Sequence, residues 1–235
     1  MIRLFHLPLS PFCRKVRLSL AEKTLQVELV EERFWERNTD FLRRNPAGKV
    51  PVLKFGDLIL SESAAICEYL EDMYPEPSLM PSDPIARHEV RRMVSWFDDK
   101  FHNEVTSKLL YERIYKKLSG RGDPVTENLR AGKQALKYHI DYLGWLLEHR
   151  NWVAGNKMTL ADFAAAAHFS SLDYFHLPSG NSDSDVGYAS DVDWNRNAAV
   201  KDWYAKIKSR PAFRGILTDL VPGFTRSPHY ANLDF

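Results

Sequence analysis

The chain has 235 residues, enough for one compact unit or for two small domains that share a core, since domains commonly run to ~100–200 residues. Lysine plus arginine (32) against aspartate plus glutamate (31) leaves a net charge of +1, so bulk charge pulls it toward neither nucleic acid nor an anionic membrane. Its two cysteines, Cys13 and Cys67, cannot build a disulfide framework and suit a reducing compartment, and its eight histidines show no metal-ligand spacing, so no metal site is expected.

The opening residues Met1-Ile2-Arg3-Leu4-Phe5 run straight into structure without the charged, apolar and small-residue regions of a secretory signal. No apolar stretch approaches the ~20 residues that span a bilayer. A soluble, cytoplasmic protein with small-molecule or protein partners is expected. Ile2 to His6 reads as a buried strand, Leu7-Pro8-Leu9-Ser10-Pro11 as a loop, and Phe12 to Lys23 as a helix. On that helix Cys13, Val16 and Leu20 share one face, and Arg14, Lys15 and Arg17 are expected to be solvated. Gln26 to Val30 alternates with period two and suits a strand, and Phe41 to Asn45 reads as a brief helix stopped by Asn45-Pro46 and Gly48. Pro51 to Phe55 and Leu58 to Leu60 flank Gly56-Asp57 as a hairpin, and Ser61-Glu62-Ser63 opens a helix expected to turn Ala65, Ile66, Tyr69, Leu70 and Met73 inward. The order β-α-β-α-β-β-α is the thioredoxin-like arrangement.

Tyr74 to Pro81, rich in proline, reads as a linker, and only helices follow. Asp83-Pro84 begins a helix reaching about Leu118, and Asp123-Pro124 is expected to repeat the device for one reaching about Glu148. On the first of these, Lys108, Glu112, Arg113, Lys116 and Lys117 form a charged stretch of the kind that is usually solvated. Thr159-Leu160-Ala161-Asp162 is a capping box. Pro178 to Asp193 reads as a polar surface loop, and a last helical stretch runs from about Ala198 to Leu220, interrupted by Pro211. The expected division is a thioredoxin-like domain over 1–80, an all-α domain over 81–220 and a tail over 221–235. The tail ends in two aromatics and a leucine, so it is expected to dock on something.

Ser10 falls at the strand-to-helix junction, where unpaired N–H groups and the helix dipole favour negative charge. A free thiol near pKa ~8.5 can fall to ~3.5–7.5 at such a place, so one hydrogen bond from the Ser10 hydroxyl helps a substrate's thiol to ionise. Set against the Cys-x-x-Cys motif, this run has serine at the nucleophilic position, which excludes dithiol exchange within it. Cys13 reads as a buried small hydrophobe and stands as the fallback nucleophile. Val50-Pro51 falls where a thioredoxin-like fold has a cis-proline that turns the preceding backbone toward an extended ligand. Glu62-Ser63 opens a helix able to hold a carboxylate and an ammonium, the charged groups of a γ-glutamyl moiety.

Ser10-Pro11-Phe12-Cys13-Arg14-Lys15-Val16-Arg17, Asn45 to Leu53, Leu60 to Ile66 and Thr159 to Asp162 resemble, in order and spacing, the motifs of glutathione transferases of the bacterial serine or cysteine type. The resemblance implies an α/β thioredoxin-like amino-terminal domain joined to an all-α carboxyl-terminal domain. It implies glutathione as cosubstrate, held by Ser10, Lys49, Val50, Pro51, Glu62 and Ser63, with Ser10 as the catalytic residue, and a homodimer.

Two functions stay open. One is an enzyme that stabilises the glutathione thiolate for conjugation or reduction of a small electrophile. The other follows from a closer similarity, in Trp96 to Thr106, Tyr111 to Tyr115 and His229 to Phe235, to the FzlA family of glutathione-transferase-like division proteins. That similarity implies a homodimer that binds FtsZ filaments without catalysis, with Trp35, Glu112 and Asp234 as possible partner contacts. Trp35 could equally cover the glutathione pocket.

Overall fold

The computed structural model describes residues 1–175 and 191–233; most of the loop expected over 178–193, together with Asp234 and Phe235, lies outside them. β1 (Ile2–His6) leads through α1 (Pro11–Glu22) to β2 (Val27–Glu31), and α2 (Thr39–Arg44) precedes β3 (Val52–Phe55), β4 (Leu58–Ser61) and α3 (Ser63–Met73). The strands form one sheet in the order β2-β1-β3-β4. β1 pairs parallel to β2 and antiparallel to β3, with Leu4 opposite both Leu29 and Leu53, so the mixed sheet is thioredoxin-like. The hairpin turns at Gly56, whose φ of +60° suits a residue without Cβ.

A long helix follows, Pro84–Ser95 continuing through Trp96–Thr106 and Tyr111–Tyr115 to Lys116–Leu118. Asp83 caps it by accepting the Ala86 N–H at 2.8 Å, and Pro84 takes the first helical position. The middle segments Trp96–Thr106 and Tyr111–Tyr115 are π-helical, with i→i+5 bonding that adds a residue to each turn. Helices Thr126–Glu148, Leu160–Asp173 and Ala198–Lys208 complete the helical part, with a short one at Arg214–Leu217.

Leu160–Asp173 is the central helix, buried along its whole length. Its start is the expected capping box, in which Asp162 accepts the Thr159 N–H at 2.8 Å and, beyond the box, the Val153 N–H at 3.0 Å and the Trp203 indole N–H at 2.9 Å. One continuous core runs from Leu4 and Leu53 of the sheet, through Val16 and Leu20, to Phe97, Phe101 and Phe169. The two parts of the fold therefore share a core.

Several expectations fail, each for a physical reason. Arg14, Lys15 and Arg17 are buried, because the face of α1 turned away from the sheet packs on the central helix and the carboxyl-terminal segment. Their charges are compensated there: Arg14 and Arg17 pair with Asp219, and Lys15 with Asp98. In α3 the inward face is Ser63, Ile66, Cys67 and Leu70, whereas Ala65 and Met73 are exposed. The helix after Asp123-Pro124 starts only at Thr126, and Glu112 replaces the expected cap: its Oε2 accepts the Val125 N–H at 2.8 Å and its Oε1 the Asn128 amide at 2.7 Å. Glu112 is thus buried rather than part of a solvated stretch.

The tail docks on its own chain. Tyr230 is fully buried, with its hydroxyl donating to the Ile216 carbonyl at 2.9 Å, and the Ser227 N–H donates to the Tyr174 carbonyl at 2.7 Å. No helix among the described residues is long and apolar enough to cross a membrane.

Candidate functional site

Helix α1 begins where the β1 strand ends, and Ser10 is its N-cap: extended backbone (φ −69°, ψ 119°), Oγ accepting the Cys13 N–H at 3.4 Å, and Pro11 as the first helical residue. Ser10 itself is nearly buried. Accepting that bond leaves its own O–H as a donor. What it faces is a cavity of about 710 Å³ between the sheet domain and the long helix.

The cavity gathers residues from four distant stretches, with Phe34 from a fifth. Ser10, Pro11 and Phe12 come from the start of α1; Asn45, Lys49, Val50 and Pro51 from the loop before β3; Glu62, Ser63 and Ala64 from the start of α3; and Asp98 to Tyr115 supply one face of the long helix. The Val50-Pro51 peptide is cis, as the thioredoxin-like order led one to expect. Asn45 fixes that loop: its amide donates to the Lys49 carbonyl at 2.8 Å and its Oδ1 accepts the Ala47 N–H at 3.2 Å. Glu62 takes φ +67° at the N-cap of α3, a conformation that costs a residue with a Cβ on the order of 1–3 kcal/mol and that clusters at ligand clamps. Its carbonyl receives the Ile66 N–H at 2.9 Å, while its carboxylate makes no capping bond and is exposed at the cavity rim. Ser63 beside it is buried.

All six residues expected to bind one ligand, Ser10, Lys49, Val50, Pro51, Glu62 and Ser63, therefore line a single cavity. Cys13 does not. It is fully buried on the core side of α1, where its Sγ accepts the Leu7 N–H at 3.4 Å and burial pushes the thiol up to about 11. Trp35 lies outside the main cavity as well. It sits edge-on to Phe34 at 5.3 Å and borders a separate small cavity of about 90 Å³ with Pro8, Ile114 and Leu220, whereas Phe34 reaches the main cavity. Glu112, capping the next helix, is closed to solvent, and Asp234 falls outside the described residues.

Sequence reasoning missed the wall built by the long helix. Asp98, His102, Thr106, Leu110 and Tyr115 recur every four to five residues, and the widened π-helical turns keep them on one side. On a regular α-helix each four-residue step turns such a set by about 40°, so Tyr115 falls well off the face of Asp98 and a 3.6-residue pattern does not single the set out. Phe12 holds this wall to α1, with its ring edge-on to His102 at 4.8 Å and to His168 at 5.8 Å. Burial draws the His102 pKa below its ordinary value, which leaves the imidazole neutral near pH 7. Two buried polar atoms in the wall, His102 Nδ1 and Tyr115 Oη, have no hydrogen-bond partner among the described residues. Such atoms are ordinarily completed by water or a ligand. Among the described residues no group of three or more His, Cys, Asp or Glu converges as a metal site.

Chemically, the arrangement offers a hydroxyl donor at a helix start, a second helix start flanked by Glu62, an irregular backbone edge at Val50, and an aromatic and polar wall opposite. The glutathione S-transferase amino-terminal domain model matches residues 4–78. The chain is 44% identical over 236 residues to FtsZ-localized protein A of Caulobacter vibrioides, covering 99% of this chain and 97% of that protein. The crystal structure of a glutathione S-transferase from Rhodospirillum rubrum F11 superposes with a TM-score of 0.91 at 45% identity, covering 100% of both chains. The structure of FzlA from C. crescentus does so with a TM-score of 0.90 at 44% identity, covering 100% of this chain and 99% of that one.

Proposed function

The chain belongs to the glutathione S-transferase family, and from that premise we propose that it binds glutathione in the interdomain cavity and stabilises the thiolate for attack on a small electrophile. The observation that carries this reading is the convergence of Ser10, Lys49, Val50, Pro51, Glu62 and Ser63 on one cavity. Its volume of about 710 Å³ falls within the ~300–1,000 Å³ of small-molecule sites.

In this reading the γ-glutamyl carboxylate rests on the N–H groups and hydroxyl at Ser63, its ammonium meets Glu62, and the cysteinyl backbone pairs with Val50 beside Pro51. The thiol then reaches the N-terminal turn of α1, where the Ser10 O–H donates to sulfur and favours the ionised form. The thiol proton leaves to solvent, and the thiolate forms a C–S bond as the electrophilic carbon's bond to its leaving group breaks and the group departs with the electron pair, or, at an activated double bond, as the π pair moves to the neighbouring atom and takes a proton from solvent; sulfur carries no charge in the product. Because Ser10 gains most where charge is greatest, it lowers the thiol pKa more than it strengthens binding. Cys13 has no part in this chemistry, since its thiol is buried and stays protonated near neutrality. Titration calorimetry with glutathione, on the wild type and on Ser10→Ala, tests it.

A second reading has its own support, in the whole-length similarity to FtsZ-localized protein A. Here the protein is a cytoplasmic homodimer whose surface engages FtsZ filaments, with or without turnover of glutathione. Exposed Leu58, Ile59 and Met73 on the β4–α3 side, and Tyr138 and Trp145 on the Thr126–Glu148 helix, supply apolar surface for a second copy to cover. Exposed residues at the end of the tail, such as Leu233, remain accessible to a filament. Co-sedimentation with FtsZ polymers tests this reading: protein left in the supernatant at saturating polymer contradicts it.

A further inference from the structure

Arg14 connects the loop that presents Ser10 to the far end of the chain. It is fully buried one helical turn after Ser10, and its guanidinium reaches three separate elements. Nε donates to the carbonyl oxygen of Pro8 at 2.8 Å, Nη1 to Ser170 Oγ of the central helix at 3.0 Å, and Nη2 to Asp219 at 3.1 Å. Pro8 lies in the turn that the Ser10 N–H closes by donating to the Leu7 carbonyl at 3.0 Å, so the first of these bonds grips the loop itself. Asp219 is held in turn by two bonds from Arg17, at 2.8 and 2.9 Å. The Tyr230 ring closes the arrangement, 5.7 Å from the guanidinium carbon, with its hydroxyl anchored on Ile216.

A guanidinium taken out of water is costly unless its donors are met in good geometry, and here the partners are a loop carbonyl, a core serine and a residue of the carboxyl-terminal segment. We propose that Arg14 is a positioning residue for the glutathione site, and that Asp219 and Tyr230 are its buttress, so that the carboxyl-terminal segment sets the direction in which Ser10 presents its hydroxyl. The proposal rests on the cavity being a glutathione site. Hydrogen bonds weaken steeply as they bend, so a small displacement of the Pro8–Ser10 loop removes most of what the hydroxyl gives the thiolate.

Charge and position make opposite predictions for Asp219→Asn. Arg17, His6, Cys13, Tyr115, Tyr204 and Tyr230 surround the pair, and of these only Arg17 is charged near neutrality: burial draws His6 down to about 4, lifts Cys13 to about 11 and Tyr230 to about 12, and raises Tyr115 and Tyr204 above the ordinary tyrosine value. Removing the Asp219 charge thus leaves two guanidinium groups uncompensated, which by itself favours a thiolate. Loosening Arg14 disfavours it. The thiolate fraction of bound glutathione, followed by ultraviolet absorbance against pH in the full-length protein, separates the two.

Asp219→Asn is expected to lower that fraction at neutral pH about threefold, and to cause no loss in a Ser10→Ala background, where only the uncompensated guanidinium charges still act, because the loss runs through Ser10. A folded Asp219→Asn with an unchanged or increased thiolate fraction overturns the proposal, as does an equal loss without Ser10. If Asp219→Asn does not fold, Tyr230→Leu, which keeps every charge, is expected to lower the fraction in the same direction, and an unchanged fraction overturns the proposal. Failure of the wild type to bind glutathione overturns the glutathione reading and this proposal with it, whereas binding with a thiolate fraction insensitive to these variants overturns this proposal alone.

Discussion

Ser10 Oγ accepts the backbone N–H of Cys13 at 3.4 Å, so the residue that caps helix α1 is also the one whose hydroxyl borders the interdomain cavity. Structure and chemistry use different parts of one group: the lone pair satisfies the helix, and the proton remains for a ligand. Ser10→Ala therefore has two separable effects. Loss of the cap lowers stability by about 1 kcal/mol, and loss of the donor lowers kcat/KM for conjugation by about 10²–10³-fold. Urea unfolding and steady-state kinetics measure the two, and a variant that loses stability alone contradicts the assigned role.

Cys13 gives the complementary case. With its thiol pushed up to about 11 and no exposure, it stays protonated near neutrality. Cys13→Ala is expected to cost about 1 kcal/mol through the small cavity it leaves, with glutathione affinity and conjugation rate unchanged. A rate loss comparable to that of Ser10→Ala would make Cys13 the nucleophile instead.

His6 ends β1 beside the α1 loop and is buried, and burial followed by the Arg17 charge draws its pKa to about 4. The ordinary value is 6.5, so on acidification the unfolded chain takes up the proton first. The stability that His6 confers as a neutral group is complete above pH 6.5 and disappears as pH falls from 6.5 to 4, a loss on the order of 2–3 kcal/mol. Comparison with His6→Phe isolates this from Asp162, whose carboxyl burial pushes up to about 6 and which acts in the opposite direction. Between pH 7 and pH 5 the urea midpoint of the wild type is expected to fall relative to that of His6→Phe, and a wild-type-minus-variant difference that does not change with pH contradicts the assignment.

Glu112 was a candidate filament contact, but its carboxylate is buried and holds the start of the next helix through Val125 and Asn128. Glu112→Ala leaves those donors and Lys116 without their acceptor. It is expected to cost about 3 kcal/mol, lowering Tm by roughly 6–12 °C. Any loss of FtsZ pelleting in this variant should track unfolding. Circular dichroism at the assay temperature checks this, and a fully folded Glu112→Ala that no longer pellets would restore the contact role.

The tail divides at Tyr230. Tyr230→Ala removes a fully buried ring and is expected to cost about 3–5 kcal/mol. Removal of residues 231–235 leaves Tyr230 and its anchors in place and gives up the Asn232 N–H bond to the His229 carbonyl at 3.1 Å, so it is expected to lower Tm by less than Tyr230→Ala does. If that truncation leaves pelleting with FtsZ unchanged, the tail's end is not the filament contact.

The order of elements along the chain, the caps at Asp83 and Thr159, and the six residues that line one cavity were legible because each rests on local chemistry: period-two runs, N-cap residues and a proline at a fixed place. Three features were not. Arg14, Lys15 and Arg17 read as solvated because their partners Asp219 and Asp98 are remote in sequence, and only tertiary packing brings them together. The wall from Asp98 to Tyr115 was hidden by its π-helical repeat, and the cap on the Thr126–Glu148 helix by coming from Glu112 rather than from the residue beside it. Local pattern reaches the first kind of feature and not the second.

The central claim is that the cavity around Ser10 holds glutathione as a thiolate. A calorimetric titration of the full-length protein with glutathione tests it most directly. The account predicts saturable binding at one site per chain, with a thiolate absorbance on the bound ligand that Ser10→Ala lowers severalfold. Absence of binding at millimolar glutathione, or a thiolate signal undiminished in Ser10→Ala, contradicts it.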